Sequence, residues 1–250
     1  MRFSTGAVRD YVRKRCGGPD LPLTIDEARA FRAWYELAGH AAVTTWENGD
    51  VWGSDFRDGG DNDPSGGSEL PDIYFFTGHG ICQSQPTATS PDFLLVCGNF
   101  GKPNRVNIGL QSRWGNAPGN LQFLFLDASC PMDLISISND WFPVFRGLHV
   151  ATGNSGTNSQ DTLDSSNRGS QFAARTAGLP GWLEWLFPQE SVGNAWMHTG
   201  TIDVQSGCSA VVIAAGRDRD EAIDRRENER ITDGRPDPVP NWFAWRWRTA

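Results

Sequence analysis

The chain has 250 residues, long enough for one large α/β domain, or two small ones, with a substantial core. Its formal net charge of -8 excludes nucleic acid and an anionic membrane surface as main partners, because either would repel it at long range. Five cysteines, at Cys16, Cys82, Cys97, Cys130 and Cys208, are odd in number and contain no close C-x-x-C pair. That pattern argues against a disulfide framework or a zinc ribbon and leaves at least one thiol free.

Met1 to Gly6 leads into the polar stretch Arg9 to Arg15 rather than into a signal-peptide core. No run approaches the roughly 18 apolar residues of a membrane span, so a soluble cytoplasmic protein is expected. Leu23 to Leu37 has a helical apolar period, with Thr24 or Asp26 as cap and Gly39 as stop. Ala41 to Trp46 reads as a strand, and Glu47-Asn48-Gly49-Asp50 as a turn from which Val51 to Phe56 pairs back. Arg57 to Ser68 is dense in turn residues and predicts a long loop.

Asp72 to Gly80 and Leu121 to Cys130 are short apolar runs with the composition of buried strands, each ending in a reactive residue, His79 and Cys130. Between them, Cys82 to Pro91 predicts a loop, Phe93 to Cys97 a short strand, and Asn99 to Asn120 a long excursion near the crevice. Met132 to Phe145 predicts a helix broken at Pro143. Gly147 to Gly153 is a third core strand running into the polar Asn154 and Ser155. Helices follow at Ser166 to Ala177, Gly181 to Leu186 and Ser191 to His198, then a buried strand over Ser209 to Gly216 and a charged helical stretch to Arg230. Phe243, Trp245 and Trp247 alternate with Ala244, Arg246 and Arg248, the period of a closing edge strand. Alternating strands and helices predict one α/β domain, residues 1 to 250, with a mostly parallel sheet.

An apolar strand ending in His-Gly, then another ending in acidic-small-Cys about fifty residues later, resembles the caspase-like cysteine peptidases: caspases, metacaspases, legumains and gingipains. The resemblance implies a caspase-like three-layer α/β sandwich around a mostly parallel sheet of about six strands. It also implies Cys130 as nucleophile, His79 as general acid and base, and the backbone N–H groups of Gly80 and Cys130 as an oxyanion hole. The residue types suit that chemistry: an imidazole generates the reactive thiolate and later protonates the leaving group. Those peptidases carry an acidic residue one or two positions before the Cys and often Ser-Gly after it. Here Asp127 lies three before Cys130, and Pro131-Met132 follow. The substrate side chain is therefore left open.

Asp55, Asn154, Ser155 and His198 are candidate pocket residues. His149 reads as a core histidine, and a zinc site drawn from His79, Cys82, Cys97, Cys130 and His149 is the weaker reading of those side chains. No metal or cofactor is expected. The function expected is thiol-dependent hydrolysis or acyl transfer on a peptide or small-molecule acyl substrate. A biosynthetic cyclase, acyltransferase or thioesterase with the same dyad is one alternative, and an inactive binding module is another.

Overall fold

The computed structural model describes residues 1–14, 18–57, 70–82, 93–96, 104–115, 120–156, 168–200 and 208–249. Ten strands lie among them: β1 (Arg2–Ala7), β2 (Ala41–Glu47), β3 (Ile73–Thr77), β4 (His79–Ile81), β5 (Phe93–Val96), β6 (Asn104–Asn107), β7 (Phe123–Asp127), β8 (Val150–Ser155), β9 (Ser209–Gly216) and β10 (Trp242–Thr249). The longer helices are α1 (Thr24–Leu37), α2 (Arg168–Thr176), α3 (Val192–Thr199) and α4 (Arg219–Asn228). Seven strands form the main sheet in the order β10-β9-β8-β7-β3-β1-β2, and β4-β5-β6 form a small separate sheet. From β2 across to β8 the strands are parallel, while β9 and β10 each run antiparallel to the strand before them. The protein is thus α/β with a mostly parallel central sheet, of seven strands rather than about six.

β3 and β7 are apolar up to their last residues, Thr77 and Asp127, because they are central and covered on both faces. Ile73, Phe75, Phe123 and Phe125 face Phe31 of α1 and Phe172 of α2 in one cluster. Tyr74, Phe76, Leu124 and Leu126 face a second cluster that includes Trp114 and Trp141. In the first, Phe31 stacks on Phe75 at 4.5 Å and Phe172 meets Phe125 edge-on at 4.7 Å. α1 buries Ile25, Ala28, Phe31 and Tyr35, and also Glu27, on the face turned to the sheet.

Several elements differ from expectation. β1 is the unforeseen strand: it carries Ser4, Thr5 and Gly6 where a buried strand usually carries large apolar groups, yet it pairs with both β2 and β3. Ser4 is tolerated inside because its Oγ accepts hydrogen bonds from the amide and hydroxyl of Thr44. No hairpin follows β2. Asn48–Asp50 and Gly53–Phe56 are 3-10 turns, and the Asn48 side-chain oxygen accepts from the amides of Arg9 and Asp10, which docks the turn on the end of β1. Thr24 does not cap α1; it is the first helical residue, and its hydroxyl donates to the carbonyls of Val8 and Leu21.

The Phe93 strand joins the small sheet, and part of the Asn99 to Asn120 excursion is β6 followed by a helical turn at Ile108–Gln111. The third core strand starts later than predicted, at Val150. The expected loop at 58–68 and most of that at 82–91 lie outside the described residues. Of the stretch expected as a helix broken at Pro143, Ile137–Trp141 is helical and Phe142–Val144 is a 3-10 turn that contains the proline, while the strand Ser209–Gly216 and the aromatic edge strand β10 are as expected. Among the described residues, no helix is long and apolar enough to cross a membrane.

Candidate active site

β3 and β7 pair in parallel with Thr77 opposite Asp127, so His79 and Cys130 emerge at the same carboxyl end of adjacent strands. The two chain segments touch closely there. A Cβ built on Gly80 would lie 1.7 Å from the Ser129 carbonyl oxygen, so only glycine lets the His79 segment pass against the Ser129-Cys130 turn. Cys130 has φ of +53°, which among the described non-glycine residues only Asn48 shares. Left-handed backbone at a bulky residue is strained, and such strain concentrates where function requires it.

His79 is held by residues that sequence reading did not single out. Its backbone N–H donates to the Tyr11 hydroxyl at 2.7 Å, and its ring lies 4.4 Å from that of Tyr11. Its Nε2 lies 2.8 Å from the Pro19 carbonyl. A carbonyl only accepts, so Nε2 carries the proton in this contact. Gly18, at φ of +88°, closes the cradle: a Cβ there would come within 2.9 Å of the imidazole Cδ2.

Two features of Cys130 correct the sequence reading. Its sulfur is bonded to that of Cys82, with the Cα atoms 5.0 Å apart. A pair 48 residues apart leaves no local spacing cue; β4 carries Cys82 past Ser129 and brings it within reach. In this form Cys130 is not a nucleophile, and neither sulfur is a thiolate ligand for zinc. The backbone N–H of Cys130 donates to the Gly156 carbonyl at 3.0 Å, so it is not aimed at a substrate oxygen. Cys208 is a free thiol, as one cysteine had to be. It is buried, and burial pushes its pKa up to about 11. Cys16 and Cys97 lie outside the described residues.

The four pocket candidates are dispersed. Asn154 is buried, with Nδ2 3.2 Å from both Asp127 Oδ1 and the Ala128 carbonyl, so it braces the turn from beneath instead of lining a cleft. Ser155 ends β8 opposite Ser209 and is half-buried. Asp55 sits in a 3-10 turn, where Oδ2 accepts from the Trp52 amide. His198 sits on the surface of α3, 3.5 Å from Glu190, beside a cavity of 430 Å³ shared with Arg246 and Trp247. His149 is a core residue at the amino end of β8, in contact with Glu229 at 2.6 Å, Arg225 at 2.9 Å and Asp237 at 3.1 Å. Among the described residues, no three His, Cys, Asp or Glu side chains are grouped to hold a metal ion.

Beneath the strand ends lies a buried charged cluster. Asp127 accepts from Arg168 Nη1 at 2.6 Å, while Glu27 accepts from the Thr77 hydroxyl at 2.6 Å and from the Gly169 amide at 3.0 Å. Period-2 alternation explains why Thr77 and Asp127 point this way: they share the face of Phe75 and Phe125, toward α1 and α2. Burial first, then the charge of Asp127 and a hydrogen bond to it, raise the Glu27 carboxyl well above its ordinary range, against the pull of Arg168 and Thr77. Burial works against the Arg168 guanidinium, but Asp127 and Glu27 outweigh it and hold its pKa above the ordinary value. One retained proton therefore leaves two carboxyls and one guanidinium electrically balanced.

The folded chain holds that proton more tightly than the unfolded chain does. The stability contributed by protonated Glu27 is therefore full below the ordinary value of 4.5 and is lost as pH rises through the raised value. Glu27→Gln, which imitates the protonated form, is expected to flatten this decline in urea unfolding measured across a pH series. Parallel pH profiles for the two proteins would rule the assignment out.

A family described as "Domain of unknown function (DUF6345)" has a model that matches residues 7–249, which takes in every strand of the main sheet except most of β1. The chain belongs to this family. No curated protein matches its sequence. Within this DUF6345 chain, the matched region includes Tyr11, His79, Cys82, Cys130 and the buried Glu27, Asp127 and Arg168.

Proposed function

We propose that this DUF6345 protein is a caspase-like thiol hydrolase or acyl-transfer enzyme, with Cys130 as nucleophile and His79 as base in its dithiol form. The carrying observation is that His79-Gly80 and Ser129-Cys130 leave adjacent parallel strands in register and meet in backbone contact. The positive φ of Cys130 and the cradle around the imidazole add support. In the dithiol form the His79 imidazole accepts the thiol proton. The Cys130 thiolate then attacks an acyl carbonyl, and the proton passes to the departing amine, alcohol or thiol. Water, or a second nucleophile in a cyclase or acyltransferase, releases the acyl group and restores the thiol. In the cytoplasm, where thiols are kept reduced, Cys130 would be available for this chemistry.

The Cys82–Cys130 bond favours one other reading, a binding module in which the disulfide pins two loops together. Thiol reactivity separates the two. After mild reduction, an alkylating probe is expected to modify Cys130 about tenfold or more faster than Cys16, Cys82, Cys97 or Cys208, and His79→Ala is expected to slow it. Equal labelling of every accessible cysteine would sink the dyad. The Cys82→Ser variant, offered a peptide library and a panel of esters and thioesters, is expected to show turnover that Cys130→Ala abolishes.

A further inference from the structure

We propose that Cys82 and Cys130 form a thiol-exchange site, at which an external thiolate attacks Cys82 Sγ and releases Cys130 as the leaving thiolate. The chemistry of exchange stands by itself; its consequence, that exchange arms the hydrolase, rests on the reading of Cys130 as nucleophile.

Access decides which sulfur is attacked, because the incoming thiolate must approach in line with the bond and opposite the leaving sulfur. Cys130 is 4 % exposed, whereas Cys82 is half-buried and follows β4, whose three residues are also partly exposed. The Cys130 turn is fastened at successive residues: its own N–H bonds Gly156, the Met132 N–H bonds the Asn154 carbonyl, and Trp141 Nε1 donates to the Pro131 carbonyl. Cys82 therefore takes the external thiol, and the sulfur set free is the one beside Ser129, at the strand end that carries His79. Cys208 is no competitor, since it is buried and its thiol is held protonated.

The step balances with a small monothiol of the glutathione class as reductant. One thiolate forms a mixed disulfide with Cys82 as the Cys82–Cys130 bond breaks, and Cys130 departs with the electron pair. A second thiolate attacks the external sulfur of the mixed disulfide, releases Cys82 as thiolate and leaves as the oxidised dimer. Two electrons pass to the protein pair, and the two cysteines end as thiols with the protons of the two monothiols.

The test uses the native full chain in graded ratios of reduced to oxidised glutathione, quenched with acid, alkylated and read peptide by peptide by mass spectrometry. Cys82 and Cys130 are expected to change state together without denaturant, and early samples are expected to carry glutathione on Cys82. Resistance of the wild-type bond to reduction until the chain is unfolded would overturn the proposal. So would early adducts on Cys130; both readouts use the wild-type chain. A pair that exchanges, with a Cys130 thiol that turns over no acyl substrate, would sink the hydrolase and leave the exchange site standing.

Discussion

Arg168→Leu is expected to cost the fold about 3–5 kcal/mol in urea or thermal unfolding near neutral pH, the usual penalty for removing one partner of a buried ion pair. Arg168 is 1 % exposed and its guanidinium lies 2.6 Å from Asp127. Its removal strands the carboxyls of Asp127 and Glu27 together in the interior. The loss should shrink as pH falls, because protonation removes the buried negative charge that the guanidinium no longer balances. Adding Asp127→Asn should recover part of the stability, since the stranded charge is then gone. A single variant as stable as the parent would show that the cluster contributes nothing to the fold.

Gly80→Ala is expected to have the other large effect, on the site more than on the fold. The obstacle to the new methyl is the backbone oxygen of Ser129, 1.7 Å from the Cβ position, which no side-chain rotation relieves. The β4 segment and the Ser129-Cys130 turn must separate, at a cost on the order of 1–3 kcal/mol. That displacement moves His79 and Cys130 apart and disturbs the Cys82–Cys130 bond. The expected result is a folded but less stable protein whose reduced Cys130 labels at the rate of an ordinary exposed cysteine. Undiminished selective labelling would show that reactivity does not depend on the close approach of the two segments.

Both variants act on groups whose roles are invisible in a linear reading. Glu27 looks like one of the polar residues of an amphipathic helix, and Arg168 like a helix-start charge, because nothing near either in sequence marks it as buried. Their burial depends on α1 and α2 crossing the same face of the sheet, where Thr77 and Asp127 project from β3 and β7. The cradle around His79 is equally nonlocal: Tyr11, Gly18 and Pro19 lie some sixty residues from the imidazole they hold.

The sequence by itself determined the central strands, α1, the edge strand β10, and the placing of His79 and Cys130 just beyond the ends of β3 and β7. These are properties of local pattern: continuous apolar runs become strands covered on both faces, and the residue that follows must emerge at a strand end. Only the tertiary structure decided that β1, with its small polar residues, inserts beside β3; that Asn154 braces a turn; that His198 lies on the outer surface of α3; and that the Cys130 amide is bonded to Gly156. It also decided that Cys130 meets Cys82. The reason is physical: strand formation depends on near neighbours in sequence, whereas a disulfide, a buried ion pair or an occupied amide depends on residues brought together only when the sheet assembles.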